Sequence, residues 1–75
     1  IYATNYCIKL VNYSKLYILD TLLEASNKCI LLNENTYLTL ENITIKNSNK
    51  NFIEYKNNSS PKYNLLIEKN IIFKN

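Results

Sequence analysis

The side chains that most often carry out catalysis are scarce in this 75-residue sequence. It contains no histidine and no glycine. A serine or cysteine nucleophile therefore has no histidine base, and no glycine-rich loop can hold a phosphate group. Two cysteines without histidine cannot supply the four ligands of a structural zinc site. We therefore predict that the protein is not an enzyme and has no catalytic residue, no metal site and no cofactor.

The two cysteines, Cys7 and Cys29, are the remaining reactive side chains. They could form one disulfide bond, but two cysteines do not make the disulfide framework of a small secreted domain. Buried free thiols, which pack as small apolar groups, are the interpretation that we favour.

Length and charge limit the partners that the chain can have. Seventy-five residues form one small domain with a thin core, so association with other chains is an expected source of stability. The formal net charge is +3 and every cation is a lysine. This charge allows a nucleic-acid partner without arguing strongly for one. No apolar run reaches the roughly 18 residues of a membrane-spanning helix, so we expect no membrane partner.

The apolar pattern predicts one helix followed by short strands. Residues 2–15 place apolar groups three and four positions apart, which is typical of an amphipathic helix. The apolar positions are Tyr6, Cys7, Leu10 and Val11. The predicted strands cover residues 16–20, 28–32, 36–46, 63–67 and 71–73, with turns at 21–23 and 68–70. The polar runs within 46–62 predict loops. The apolar residues 52–55 between them are either the end of a strand or a loop with exposed apolar side chains.

The stretch around the third predicted strand has the clearest pattern. A polar turn at 33–35 precedes a strand in which apolar and polar residues alternate from Leu38 onward. The alternation breaks between Leu40 and Ile43, which predicts a β-bulge at Asn42. Because the chain has no glycine, asparagine, aspartate or lysine must take the left-handed turn positions. We expect a hairpin here, within a sheet that bends into a small barrel to hide its edges.

The order of these elements resembles the Sm/Lsm family, in which an N-terminal helix precedes a strongly bent, five-stranded antiparallel sheet. The first family motif has a Gly, an Asp and an Asn at fixed spacing, followed by apolar residues. It falls on Asn27, Asn33, Tyr37, Leu38 and Leu40. The second motif, Ile-Arg-Gly and a later apolar residue, falls on Ile67, Glu68, Lys69 and Ile72. The chain is most similar to the D-type Sm proteins and to the second and fourth Lsm proteins.

The resemblance implies a mostly β, Sm-like fold in a single domain over residues 1–75. The N-terminal helix takes about 2–15, the first motif about 16–46, a loop insertion about 47–62 and the second motif about 63–74. In the family, the fourth strand of one subunit pairs with the fifth strand of the next. The implied ring-interface residues are Tyr63, Leu65, Ile67, Ile71, Ile72 and Phe73.

The same resemblance implies a core subunit of a hetero-oligomeric ring, built with other Sm/Lsm-like subunits. Such a ring binds uridine-rich small nuclear RNA in pre-mRNA splicing, in the nucleus, or acts in the cytoplasm if it is of the decay type. Asn35, Tyr37 and Lys69 would line the central hole, with Tyr37 able to stack on a base. Glu68 stands where the family has a cation and would repel phosphate. We therefore expect this copy to contribute mainly architecture.

A small OB- or SH3-like structural or interaction module without RNA binding is the alternative. The residues at Asn35, Tyr37 and Glu68 differ from the family pattern and favour it. Tyr37 would then simply pack on its strand, and Lys69 would be a solvated charge in a turn. Solution mass distinguishes the two hypotheses, because an open-edged ring subunit should assemble whereas a self-sufficient barrel should stay monomeric.

Overall fold

Seven β-strands make up the described part of the fold. The computed structural model describes residues 1–25, 28–46, 51–56 and 64–74. The strands are β1 (Tyr2–Ala3), β2 (Ile8–Leu10), β3 (Lys15–Ala25), β4 (Ile30–Leu32), β5 (Thr36–Lys46), β6 (Ile53–Tyr55) and β7 (Asn64–Lys74). No α-helix occurs in these four ranges.

All strand pairs are parallel, and the strands lie in two sheets. One sheet has the order β1-β3-β5-β7 and the other has the order β2-β4-β6. Strands that follow one another from β2 onward therefore alternate between the sheets, and each strand pairs with the strand one coil earlier. This arrangement is a short parallel β-solenoid. Its three coils are β2 with β3, β4 with β5, and β6 with β7. In such a fold every coil contacts only its neighbours. Equivalent residues are 22 positions apart between Asp20 and Asn42, and 28 apart between Asn42 and Asn70.

The core lies between the two sheets. It is formed by inward-facing side chains, namely Ile8, Leu10, Leu23, Ala25, Cys29, Ile30, Leu32, Leu38, Leu40, Ile43, Ile45 and Phe52. The inward residues of β5 are at most 1% exposed because β5 has a paired strand on both sides. Burial of each such large apolar side chain stabilises the fold by about 1.5–3 kcal/mol.

A left-handed residue bends each of the three long strands at the same position in the coil. Asp20, Asn42 and Asn70 have φ values of 52°, 55° and 59°. Tyr13 and Asn35, also with positive φ, take equivalent places before β3 and β5, and the Tyr13 N–H donates to the Asn35 carbonyl at 3.0 Å. Asn and Asp tolerate this conformation better than other non-glycine residues. The sequence correctly predicts asparagine at such positions, but not the tyrosine.

The predicted N-terminal helix over 2–15 is wrong. The segment contains β1 and β2, and β2 alternates as a strand does, with Ile8 and Leu10 buried and Lys9 exposed. The helix-like spacing arises because a strand is followed directly by a turn. Val11, which the helix prediction places on the apolar face, is 63% exposed.

The predicted five-stranded antiparallel sheet and its small barrel are also wrong. The polar turn exists at Glu34 and Asn35, but it carries the chain from β4 in one sheet to β5 in the other, so no hairpin forms. The turns predicted at 21–23 and 68–70 lie inside β3 and β7.

Other predicted elements are present in part. The third predicted strand is confirmed as β5, and the apolar residues 53–55 form β6. Of the rest of the predicted loop insertion, residues 51, 52 and 56 are described. Residues 47–50 and 57–62 of this loop lie outside the described residues.

The break in alternation at Asn42 has a different cause from the predicted bulge. Leu19 pairs with Glu41 and Thr21 pairs with Ile43, so the register is the same on both sides of the break. Neither strand has an extra residue, which is what defines a bulge. Asn42 is instead a left-handed corner residue, and Asp20 and Asn70 take the same position in the other two coils.

Candidate interaction surfaces

The structure places the three predicted RNA-binding residues at separate points. Tyr37 lies on β5 and is 43% exposed, and Lys69 lies on β7 beside Glu41. Alternation along the strands puts both side chains on the outer face of the four-stranded sheet. Tyr37 is paired with Leu65, four residues before Lys69, so the two functional groups do not meet. Asn35 lies at the left-handed turn before β5.

A group of large apolar and aromatic side chains is exposed on this outer face. We call Tyr17, Leu19, Tyr37, Leu65 and Ile67 the outer patch; each is more than a third exposed. Tyr37 pairs directly with Leu65, whereas Tyr17 and Ile67 lie on either side of Thr39, and Leu19 lies beside Glu41. Exposed apolar patches of this kind are typical of interaction surfaces.

Charged groups border the outer patch. The Lys15 ammonium lies 5.4 Å from the centre of the Tyr37 ring, within cation–π range. The Tyr17 hydroxyl donates a hydrogen bond to Glu41, and this bond raises the pKa of the Tyr17 hydroxyl. A shallow groove of about 390 Å³ lies along Lys15, Leu16, Tyr17, Tyr37 and Thr39.

The predicted ring-interface residues fall on one strand and not on two. Leu65, Ile67 and Ile72 point outward from β7, whereas Ile71 and Phe73 stack on the core positions Ile43 and Ile45. Tyr63 lies outside the described residues. β7 pairs with β5 along one edge, and its other edge has no strand partner among the residues that the structure describes.

The C-terminal end of the solenoid, formed by β6 and β7, exposes core positions; we call it the open end. Ile45 is fully buried, whereas Phe73, at the equivalent position one coil later, is 38% exposed. Leu38 is buried, whereas Leu66 above it is only half-buried. A depression of about 610 Å³ at this end is lined by residues that include Phe52, Tyr55 and Phe73.

Two polar features mark the open end. Glu68 occupies the coil position that Leu40 fills in the buried middle coil. Burial raises the pKa of the nearby Tyr55 hydroxyl, and the negative charge of Glu68 adds to this effect. The last apolar layer is therefore bordered by a carboxylate and a tyrosine hydroxyl.

The N-terminal end is covered differently. β1 pairs with the last two residues of β3, and the Glu24 N–H donates to the Ile1 carbonyl at 2.8 Å. Leu23 is fully buried as a result, whereas Leu16 in the uncovered part of β3 is 37% exposed. The two ends of the solenoid are therefore not equivalent.

A ladder of side-chain hydrogen bonds joins the three left-handed corners. The Asn70 Nδ2 donates to Asn42 Oδ1 at 2.8 Å, and the Asn42 Nδ2 donates to Asp20 Oδ1 at 3.0 Å. Each coil thus donates to the coil before it. Sequence reasoning missed this ladder, although the 22-residue spacing of Asp20 and Asn42, and of Cys7 and Cys29, was a signal of an internal repeat.

Metal-ligating side chains and thiols are the other reactive groups of the described residues. No cluster of three or more histidine, cysteine or acidic side chains suited to a metal ion occurs in the described ranges. Neither cysteine is in a disulfide bond; Cys29 is buried, and the Cys7 Sγ donates to the Glu24 carbonyl at 3.2 Å. Within the same ranges, no helix has the length and apolar character needed to span a membrane.

The comparisons with known proteins found no match. No family model, no curated protein and no solved structure matches this chain. The functional argument therefore depends on the geometry of these surfaces.

Proposed function

We propose that this chain is a structural interaction module, a short parallel β-solenoid whose open end pairs with a further β-strand. The observation that carries the proposal is the combination of a β7 edge that no described strand pairs with and Phe73, a core-position residue, at 38% exposure. An unpaired edge presents N–H and C=O groups that can pair with a further strand. One added layer would satisfy these groups and bury the exposed apolar side chains together.

The size of the module supports the same conclusion. A solenoid coil cannot bury its apolar face alone, and stability in such folds comes largely from stacking between neighbours. Among the described residues, the middle coil, which contains β4 and β5, is the one that is paired along its whole length on both sides. An additional layer on β6 and β7 would give the last coil the same environment.

Solution mass against concentration tests this proposal. Without its natural partner, the open end should bind other exposed strands, so light scattering should show masses above the 8.8 kDa of one chain. Phe73→Lys places a charge on the apolar layer and should move association to concentrations at least about tenfold higher, because burying a phenylalanine contributes about 1.5–3 kcal/mol.

Ile72→Lys is the matched control. Ile72 is the adjacent residue and is 47% exposed, but its side chain points outward and away from the open end. This variant should associate as the unmodified protein does, with circular dichroism checking that both variants are folded. A chain that stays monomeric up to about 1 mM, where an association free energy of only about −4 kcal/mol would already give dimers, would contradict the proposal.

Uridine-rich RNA binding stays a prediction and is the second candidate. The observation that favours it is the shared outer face of Tyr37 and Lys69, with Lys15 beside the Tyr37 ring. Base stacking on an aromatic side chain contributes about 1–3 kcal/mol per base. Two further predictions apply only if the chain binds this RNA. They are membership of an Sm/Lsm-type ring and a nuclear or cytoplasmic location.

Anisotropy of a labelled oligouridine tests the second candidate. Saturable binding that Tyr37→Ala weakens by about fivefold or more would support it, as the stacking contribution requires. Leu22→Ala, an exposed residue outside the outer patch, is the control. Absence of saturable binding at low salt would remove this candidate.

A further inference from the structure

We propose that Cys7 and Cys29 form a reversible oxidation site, at which a disulfide bond joins the first coil to the second. This inference is independent of the proposed function, because it concerns the stacking of two coils and not the open end. It follows from the equivalent positions of the two residues, their backbone hydrogen bonds and the burial of their side chains.

Cys7 and Cys29 occupy the same position in successive coils. They immediately precede Ile8 and Ile30, which are paired in the parallel register of β2 and β4. The Cys7 N–H donates to the Cys29 carbonyl at 2.7 Å, and the Ile8 N–H donates to the same carbonyl at 3.2 Å. The backbones of the two cysteines therefore lie directly against each other.

The next coil repeats this arrangement with a phenylalanine. The Cys29 N–H, at 2.9 Å, and the Ile30 N–H, at 3.0 Å, both donate to the Phe52 carbonyl. Cys29 and Phe52 are core residues, at 0% and 3% exposure, and Cys7 packs against the same core. The repeated backbone geometry therefore directs the side chains of Cys7 and Cys29 to the same side, towards the core.

The spacing of the two backbones is suited to a disulfide bond. Paired strands of a sheet lie about 4.7–4.9 Å apart, and disulfide bonds join residues whose α-carbons are about 4.4–6.8 Å apart. The Cys7 Sγ now donates to the Glu24 carbonyl at 3.2 Å, so oxidation requires this side chain to rotate away from Glu24. Rotation of one half-buried side chain is a local change that leaves the register of β2 and β4 in place.

The oxidant is a small-molecule disulfide such as oxidised glutathione. Cys7 is the more accessible cysteine, and its thiolate attacks one sulfur of the oxidant and releases one glutathione thiolate. The Cys29 thiolate then attacks the Cys7 sulfur of this mixed disulfide, forms the Cys7–Cys29 bond and releases the second glutathione thiolate. The two protons lost by the protein thiols are taken up by the two glutathione thiolates, and excess reduced glutathione reverses both steps.

Oxidation exchanges the hydrogen bond from Cys7 to Glu24 for a covalent link between two coils. A link between residues 22 positions apart removes conformational freedom mainly from the unfolded chain, so it stabilises the stacked coils. The oxidation state of this site therefore controls how firmly the first coil is held on the second.

The experiment measures the thiol–disulfide equilibrium of the full chain with glutathione, once in buffer and once in urea that unfolds the chain. Intact mass after acid quenching gives the fractions of reduced protein, mixed disulfide and internal disulfide. Because the fold holds the two cysteines in register, we expect the equilibrium constant for the internal disulfide to be about tenfold or more higher in buffer than in urea. Peptide mapping should locate this bond between Cys7 and Cys29.

Lys9→Cys combined with Cys7→Ser is the matched control. It changes the separation of the two thiols along the chain by only two positions, but it places one thiol on the exposed face of β2. Its equilibrium constant should be no higher in buffer than in urea, with circular dichroism checking that the variant is folded. An equilibrium constant for Cys7 and Cys29 that is equal in the two conditions, or lower in buffer, would overturn the inference. An equal gain in the control variant would overturn it as well.

Discussion

Asn42 is the residue that most clearly connects local conformation with the stacking of coils. It has a φ of 55°, and its side chain bonds to the coils on both sides. A left-handed conformation costs a residue with a Cβ roughly 1–2 kcal/mol, and Asn offsets part of this cost by local hydrogen bonding. The corner and the ladder therefore depend on the same side chain.

Substitutions of Asn42 separate these two roles. Asn42→Gly removes the ladder bonds but accepts the left-handed conformation, so we expect a loss of about 0.5–1.5 kcal/mol in the free energy of unfolding. Asn42→Ala also retains the steric cost of a Cβ and should lose about 1–2 kcal/mol more than the glycine variant. Urea unfolding followed by circular dichroism measures both values.

Asn12→Ala is the control for these variants. Asn12 is an exposed turn residue without positive φ, so its substitution should change the free energy of unfolding by less than about 0.5 kcal/mol. If Asn42→Ala and Asn42→Gly were as mild as Asn12→Ala, neither the ladder nor the left-handed corner would contribute to stability.

The strands show how far local sequence patterns determine elements. Alternation from Leu38 onward correctly predicts β5, because one face of this strand packs on the core and the other faces outward. The same alternation occurs in parallel and antiparallel strands, so it does not determine the direction of the neighbours. The antiparallel prediction treated the turn at Glu34 and Asn35 as a hairpin, whereas this turn is a corner between sheets.

The candidate surfaces were predictable only in part for the same reason. An exposed tyrosine at Tyr37 follows from its place on an alternating strand, and the structure places it on the outer face. Neither the partnership of Tyr37 with Leu65 nor the hydrogen bond of Asn70 to Asn42 could be predicted from local patterns. Both join residues 28 positions apart, and they appear only when the coil length is known.

An internal repeat was the signal for the whole molecule. A shift of 22 positions superposes Ile8 and Leu10 on Ile30 and Leu32, and these residues are paired in the structure. The third coil is longer: paired residues are 22 apart between β3 and β5, 23 apart between β4 and β6, and 28 apart between β5 and β7. Most of the extra residues therefore fall between β6 and β7. A longer third coil weakens the periodicity that would otherwise reveal a solenoid.

Stacking of parallel coils also determines where the molecule can interact. Stacking buries the middle coil on both sides, partly covers the first coil with β1 and leaves β6 and β7 at an end. The open end and the outer patch are consequences of this order, and they are the two surfaces for which we propose partners. The account therefore depends on the parallel register of β3, β5 and β7.

Nuclear Overhauser contacts between strands measure this register most directly. The parallel arrangement predicts contacts between amide and α protons of residues 22 apart in β3 and β5, such as Leu19 with Glu41 and Thr21 with Ile43. Further contacts should join β5 to β7, such as Thr39 with Ile67. Close α-proton pairs that join β4 to β5 across the turn at Glu34 and Asn35 would instead show an antiparallel hairpin and would contradict the solenoid.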